Sequence, residues 1–243
     1  MRIIRRAHER FHTQISWLDS WHTYSFGHHF DPRWQGFGNV LVINDDTVAP
    51  GGGFGTHGHR DMEIVSYVVS GALGHKDSMG NGSTIRRGDV QRMSAGTGVR
   101  HSEMNAGGPG ERVHFLQLWF PPSALGIAPG YEQRAIADAD RRGKLALLAG
   151  PPGEGGVVSM HADARLLGTL LEDGEAVAHR VATGRGAWVH IVTGQATVDG
   201  SEVAAGDGVG VAFPGEGDGS GVVRVAGGRG GAEVLIFDVA FDD

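Results

Sequence analysis

Two histidines one residue apart, His57 and His59, stand in the run Gly51-Gly52-Gly53-Phe54-Gly55-Thr56-His57-Gly58-His59-Arg60-Asp61-Met62-Glu63. In a strand, residues i and i+2 point to one face with α-carbons roughly 6.6 Å apart, so two imidazoles can converge on one ion. A single His-X-His pair is often just the wet face of a strand. A second pair with the same spacing, His101 and Glu103, follows the glycine-containing run Ser94-Ala95-Gly96-Thr97-Gly98-Val99-Arg100. Three neutral imidazoles and one carboxylate make a donor set that suits Fe, Zn, Mn, Ni or Cu and not the all-oxygen shells of Mg or Ca. Spacing leaves the carboxylate open between Glu63, which shares parity with His57 and His59, and Glu103 beside His101.

The rest of the composition narrows the chemistry. The chain has no cysteine, which removes disulfides, thiolate metal sites and cysteine nucleophiles, so any metal must be held by nitrogen and oxygen. Of the 13 histidines, His8, His12 and His22 read as ordinary surface or loop residues. His179 and His190 are isolated and read as packed or hydrogen-bonded, so no metal is expected in the second half. A formal charge of -7 gives no basic footprint for phosphate backbones or anionic lipid, so neither direct nucleic-acid binding nor a membrane partner is expected. The arginines Arg2, Arg5, Arg6 and Arg10 have no apolar run behind them. Met1 to Phe11 is therefore expected to be neither signal peptide nor anchor, and the expected compartment is the cytoplasm.

The elements that must position these residues read as strands. The 42 glycines and 9 prolines are spread without a collagen-like period, which points to many tight turns between short strands. Strand-length apolar or alternating runs are Gly38–Asn44, Ile64–Val69, Val90–Met93 and Val113–Phe120. Beyond a proline-containing middle come Gly155–Met160, Leu166–Glu172, Trp188–Thr193, Gln195–Val198, Gly208–Phe213, Val222–Val225 and Val234–Val239. Ser66–Gly71 followed by Arg87-Gly88-Asp89 is similar to Val189–Gly194 followed by Ala205-Gly206-Asp207, which suggests two copies of one β unit. The expected organisation is an N-terminal metal-binding domain over residues 1–122, a linker over 123–153 and a second domain without the metal motif over 154–243.

The blocks His57-Gly58-His59-Arg60, Glu63-Ile64-Val65-Ser66-Tyr67-Val68, His75-Lys76-Asp77-Ser78 and Gly88-Asp89-Val90-Gln91 occur in this order. With Ser94 through Glu103 and Leu116-Gln117-Leu118-Trp119, the series resembles the pirin family of the cupin superfamily. The likeness covers roughly residues 35–120, and the second half is similar only loosely. Gly58 stands where pirins commonly carry Pro, and Ser94 where cupins often do; both alter loop stiffness and not ligand atoms.

The resemblance implies an all-β bicupin, two tandem cupin-type antiparallel β-barrels with few short helices. It also implies one divalent transition metal per chain, iron first and then zinc, manganese, nickel or copper, with no other cofactor. The pirin pattern names His57, His59, His101 and Glu103 as ligands and leaves Glu63 as a neighbour of the pocket. His75 and Gln117 read either as hydrogen-bonded structural groups or, more sharply, as a proton-transfer group and a pocket-facing amide. The activity implied is that of a quercetin 2,3-dioxygenase: a flavonol bound through its 3-hydroxyl and adjacent carbonyl is cleaved by O2, releasing carbon monoxide and a depside, with Glu103 accepting the 3-hydroxyl proton. The alternative implied by the same resemblance is a metal-containing regulatory protein without turnover, whose partner is a protein.

Overall fold

The computed structural model describes residues 1–213, 215 and 219–241. In chain order the first strands are β1 (Arg2–Arg5), β2 (Phe11–Gln14), β3 (Leu18–His22), β4 (Val42–Val48), β5 (Gly53–His59) and β6 (Glu63–Ser70). They are followed by β7 (Ala72–Asp77), β8 (Gly82–Arg86), β9 (Asp89–Ser94), β10 (Val99–Asn105), β11 (Val113–Phe120) and β12 (Gly130–Ala135). After the short helix α1 (Asp138–Arg141) come β13 (Ala146–Gly150), β14 (Val158–Ser159), β15 (Ala164–Leu171) and β16 (Ala176–Val181). The chain ends with β17 (Arg185–Val198), β18 (Ser201–Ala204), β19 (Gly208–Phe213) and β20 (Gly221–Ala240). The fold is nearly all-β, with two cupin-type domains.

A seven-stranded sheet, β12-β9-β6-β11-β4-β3-β2, faces a four-stranded sheet, β5-β10-β7-β8, in the N-terminal domain. The central strands β6 and β11 are apolar at most positions because both their faces are covered. Val113 and Phe115 turn inward with Leu18, Val48, Val68, Leu73 and Ile85 to form the core between the two sheets. Val65, Tyr67, Leu116, Leu118 and Phe120 turn outward into a second core shared with Leu148, Leu166, Trp188 and Phe237 of the C-terminal domain. A nine-stranded sheet forms that second domain and encloses its own cluster, including Val189, Ile191, Val209, Val223 and Ile236.

The domains interlock. β1 pairs with β19, and the Met1 amine donates to the Ala212 carbonyl at 2.9 Å, so the start of the chain is an edge strand of the second domain. The segment expected as a linker differs from that expectation: within 123–153, β12 extends the N-terminal sheet along β9, and β13 joins the C-terminal sheet along β15. The run expected as a strand from Gly38 begins only at Val42, because Gly38 takes φ +52° and Phe37 bridges back to Val40. The run Gly155–Met160 contracts to the two residues of β14. Among the described residues no helix is long and apolar enough to cross a membrane.

Candidate metal centre

Antiparallel pairing of β5 with β10 sets His57 opposite His101, and the register shifts by one residue before Glu103 meets Phe54. That bulge puts Phe54 on the histidine face in place of Gly55. The close pairing also explains Gly53, where a Cβ would lie 2.4 Å from the Glu103 carbonyl oxygen. One nitrogen from each of His57, His59 and His101 falls within 4.8 Å of the others. The His57 Nδ1–H donates to the Gly55 carbonyl at 2.8 Å, which leaves Nε2 as the free acceptor. His59 Nε2 and both ring nitrogens of His101 are buried without a partner. Unsatisfied buried donors and acceptors are costly, so these orphaned nitrogens fit an ion they would ligate.

Glu103 is buried on the same strand face as His101, and its neighbours hold it in place. Gln117 donates Nε2–H to Oε2 at 2.6 Å, and the Ser66 hydroxyl donates to Oε1 at 3.3 Å. Burial raises the Glu103 carboxyl above its ordinary pKa, against the opposing pull of the Gln117 hydrogen bond. Burial, with the neighbouring imidazoles, lowers His59 to about 4 and His101 to about 3. Both imidazoles are therefore neutral at pH 7, the form that ligates metal. This donor set fits one divalent transition metal ion.

The cluster opens onto a cavity of about 310 Å³, at the small end of the range for small-molecule sites, about 300–1,000 Å³. Leu18, Phe26, Phe54 and Trp119 supply apolar walls, and Ser20, His22, Asn44, Asp46 and Gln117 line the floor. Trp119 sets its edge against His59, centroids 4.9 Å apart, and donates Nε1–H to Gln117 Oε1 at 3.3 Å.

The pirin family model matches residues 4–120, and that of the quercetinase C-terminal cupin domain matches residues 147–239. A quercetin 2,3-dioxygenase of Escherichia coli K12 is 44% identical over 208 residues, 86% of this chain and 88% of that protein. The chain belongs to the pirin family. The crystal structure of the bacterial pirin YhhW from Escherichia coli in complex with nickel(II) superposes with a TM-score of 0.90 at 38% identity over 100% of both chains. GK1651 from Geobacillus kaustophilus aligns with a TM-score of 0.78 at 25% identity over 98% of this chain and 95% of its own.

In this pirin-family chain the other residues singled out from sequence fall in three places. Gln117 lines the cavity and holds Glu103. His75 is buried opposite Glu103 across β7 and β10; its Nε2 lies 3.2 Å from Asp77 Oδ2, and its Nδ1 has no partner. A nitrogen of His75 also lies within 4.8 Å of donor atoms of His101 and Glu103, forming a second such group. Glu63 is on the opposite face of the seven-stranded sheet. Its Oε2 accepts from the Ser94 hydroxyl and the His161 backbone N–H, both at 3.0 Å, against the C-terminal domain.

The parity that made Glu63 a rival to Glu103 does not survive the turn between β5 and β6, where Asp61 takes φ +46°. His22, read from sequence as a surface or loop residue, is instead 4% exposed and lines the cavity. Ser20, Asn44, Asp46 and Trp119 were not singled out. The alternations Ser20/His22 and Asn44/Asp46 were the available signal, since each places two polar groups on one strand face. In the second domain His179 bonds Asp238 Oδ2 at 2.7 Å, whereas His190 is buried with both nitrogens unpartnered.

Proposed function

We propose that this chain is a quercetin 2,3-dioxygenase-type enzyme that opens the central heterocycle of a flavonol with O2. The observation that carries the reading is a buried carboxylate beside three clustered imidazoles, two of them with buried ring nitrogens that have no partner, at the end of a largely apolar cavity. The family supports it, because the Escherichia coli relative is named for that activity and a bacterial pirin has been crystallised with nickel(II). His57, His59, His101 and Glu103 would hold the ion. When bound it would supply Lewis acidity toward chelating oxygens and a meeting point for substrate and O2.

The protein's own side chains account for the remaining work. Leu18, Phe26, Phe54 and Trp119 would clasp the flat ring system and keep bulk water out. Glu103 would take the 3-hydroxyl proton on Oε1, the oxygen held only by the longer Ser66 bond, while Gln117 keeps Oε2 oriented. Its burial raises its proton affinity toward that of a useful base. The reaction balances as flavonol plus O2 giving depside plus carbon monoxide.

Oxygen uptake in the presence of quercetin, by wild type and Glu103→Gln loaded to equal metal content, tests the assignment. The substitution is expected to lower turnover by about 100-fold or more. Full turnover with metal retained would remove Glu103 from proton transfer.

A further inference from the structure

The floor of the cavity is a polar ladder that continues well past the metal ligands. Cross-strand pairing sets Ser66, Gln117, Asn44 and His22 side by side on β6, β11, β4 and β3. With strands about 4.8 Å apart, that row spans roughly 14 Å from Ser66 to His22, and Asn44 lies one strand beyond Gln117, the residue that bonds Glu103. The next row places Asp46 opposite Ser20, and Ser20 opposite Thr13. That row continues on its other side into apolar residues, Phe115 beside Asp46 and Val68 beyond it. Polar groups in such a place are retained only with partners.

The hydrogen bonds are oriented to leave two groups free. His22 Nδ1 lies 2.8 Å from Asn44 Oδ1, and the Thr13 hydroxyl lies 3.0 Å from His22 Nε2. Burial holds His22 below the ordinary imidazole pKa, so it is neutral, with Nδ1–H donating to Asn44. The Asn44 Nδ2 donors then have no protein partner among the described residues and border the cavity. The Ser20 hydroxyl donates to Asp46 Oδ1, and the second oxygen of Asp46 has no protein partner there either. Burial, with Asp45 and Glu103 nearby, pushes Asp46 up to about 7, so it can accept or donate.

We propose that Asn44 and Asp46 form a second recognition point that binds a phenolic hydroxyl at the end of the substrate remote from the metal ligands. A phenol matches the pair, because its oxygen accepts from Asn44 Nδ2–H while its O–H donates to Asp46. The substrate class is then a planar polyphenol with chelating oxygens at one end and a phenolic hydroxyl at the other. This inference rests on the flavonol reading and sharpens it: a flavonol bare at its far end should bind poorly.

Anaerobic titration of metal-loaded protein, followed by tryptophan fluorescence, reads binding without turnover. The probes are quercetin and 3-hydroxyflavone, which keeps the chelating oxygens and lacks the other hydroxyls. Wild type is expected to prefer quercetin by about 10-fold or more, since a site built to hydrogen-bond a hydroxyl rejects its absence. In Asp46→Ala and Asn44→Ala the preference should fall below about 3-fold, with metal content and 3-hydroxyflavone affinity close to wild type. Asp46→Asn, which keeps the shape, should lose part of it. A preference that stays at the wild-type level in Asn44→Ala and Asp46→Asn would overturn the assignment, as would a wild type with no preference. Binding of neither flavonol would overturn the flavonol reading and this inference with it.

Discussion

Glu103 occupies a position where burial favours its protonated form, while Gln117 and Ser66 stabilise the carboxylate. Its Oε1 is the less firmly held oxygen, next to imidazoles that burial keeps neutral. His57→Ala and Glu103→Ala are each expected to lose most of about one equivalent of bound metal, read by elemental analysis of purified protein, because a three-donor remnant is a far weaker site. Gln117→Leu should keep the metal but slow turnover by about 10-fold or more through loss of the bond that orients Glu103. The histidine ligand candidates were legible in sequence because an i, i+2 pair shares a face in any strand. His22 was not, because its role depends on Asn44, which is far away in sequence and arrives only through pairing of β3 with β4.

At the scale of elements, the bulge in β5 and the turn after it decide which side chains meet. The bulge brings Phe54 to the cavity, and the turn at Asp61 reverses parity so that Glu63 faces the C-terminal domain. Parity arguments hold within one uninterrupted strand and fail across a turn, which is why spacing left two carboxylates open. Strands buried on both faces were legible as apolar runs, and β6 and β11 lie where those runs are. The pairing of β12 with β9 was not, since Gly130–Ala135 is polar and only its edge position explains it. Gly53→Ala should destabilise the protein by about 1–3 kcal/mol, measured as a lower urea midpoint, because the added methyl group collides with β10.

Across the whole molecule, buried polar groups tie the two domains together. Arg141 of α1 bonds both Tyr67 of the first domain and Glu233 of the second, and Arg87 reaches Glu233 at 2.7 Å. Glu233→Ala would leave the buried Arg141 paired only with the partly exposed Asp138 carboxylate, 2.8 Å away, and is expected to cost up to about 3–5 kcal/mol in urea unfolding. His190 adds a pH dependence. Burial, and then Arg10, lowers it to about 4, whereas the unfolded chain takes up that proton near 6.5. Its contribution is fully present above about pH 6.5 and is lost as pH falls toward 4, by up to ~3 kcal/mol. Unfolding of metal-free protein at pH 7 and pH 5 should show the loss, with a smaller difference in His190→Gln.

On the proposed reading, the N-terminal domain, braced by its partner domain, holds a cavity with a metal ligand set at its end for oxidative cleavage of a bound polyphenol. Carbon monoxide released per quercetin consumed by metal-loaded wild type measures that chemistry most directly. About one carbon monoxide for each quercetin and each O2 is the expected result, from the balance of the ring-opening reaction. Quercetin bound at the site with no carbon monoxide formed under O2 would contradict it.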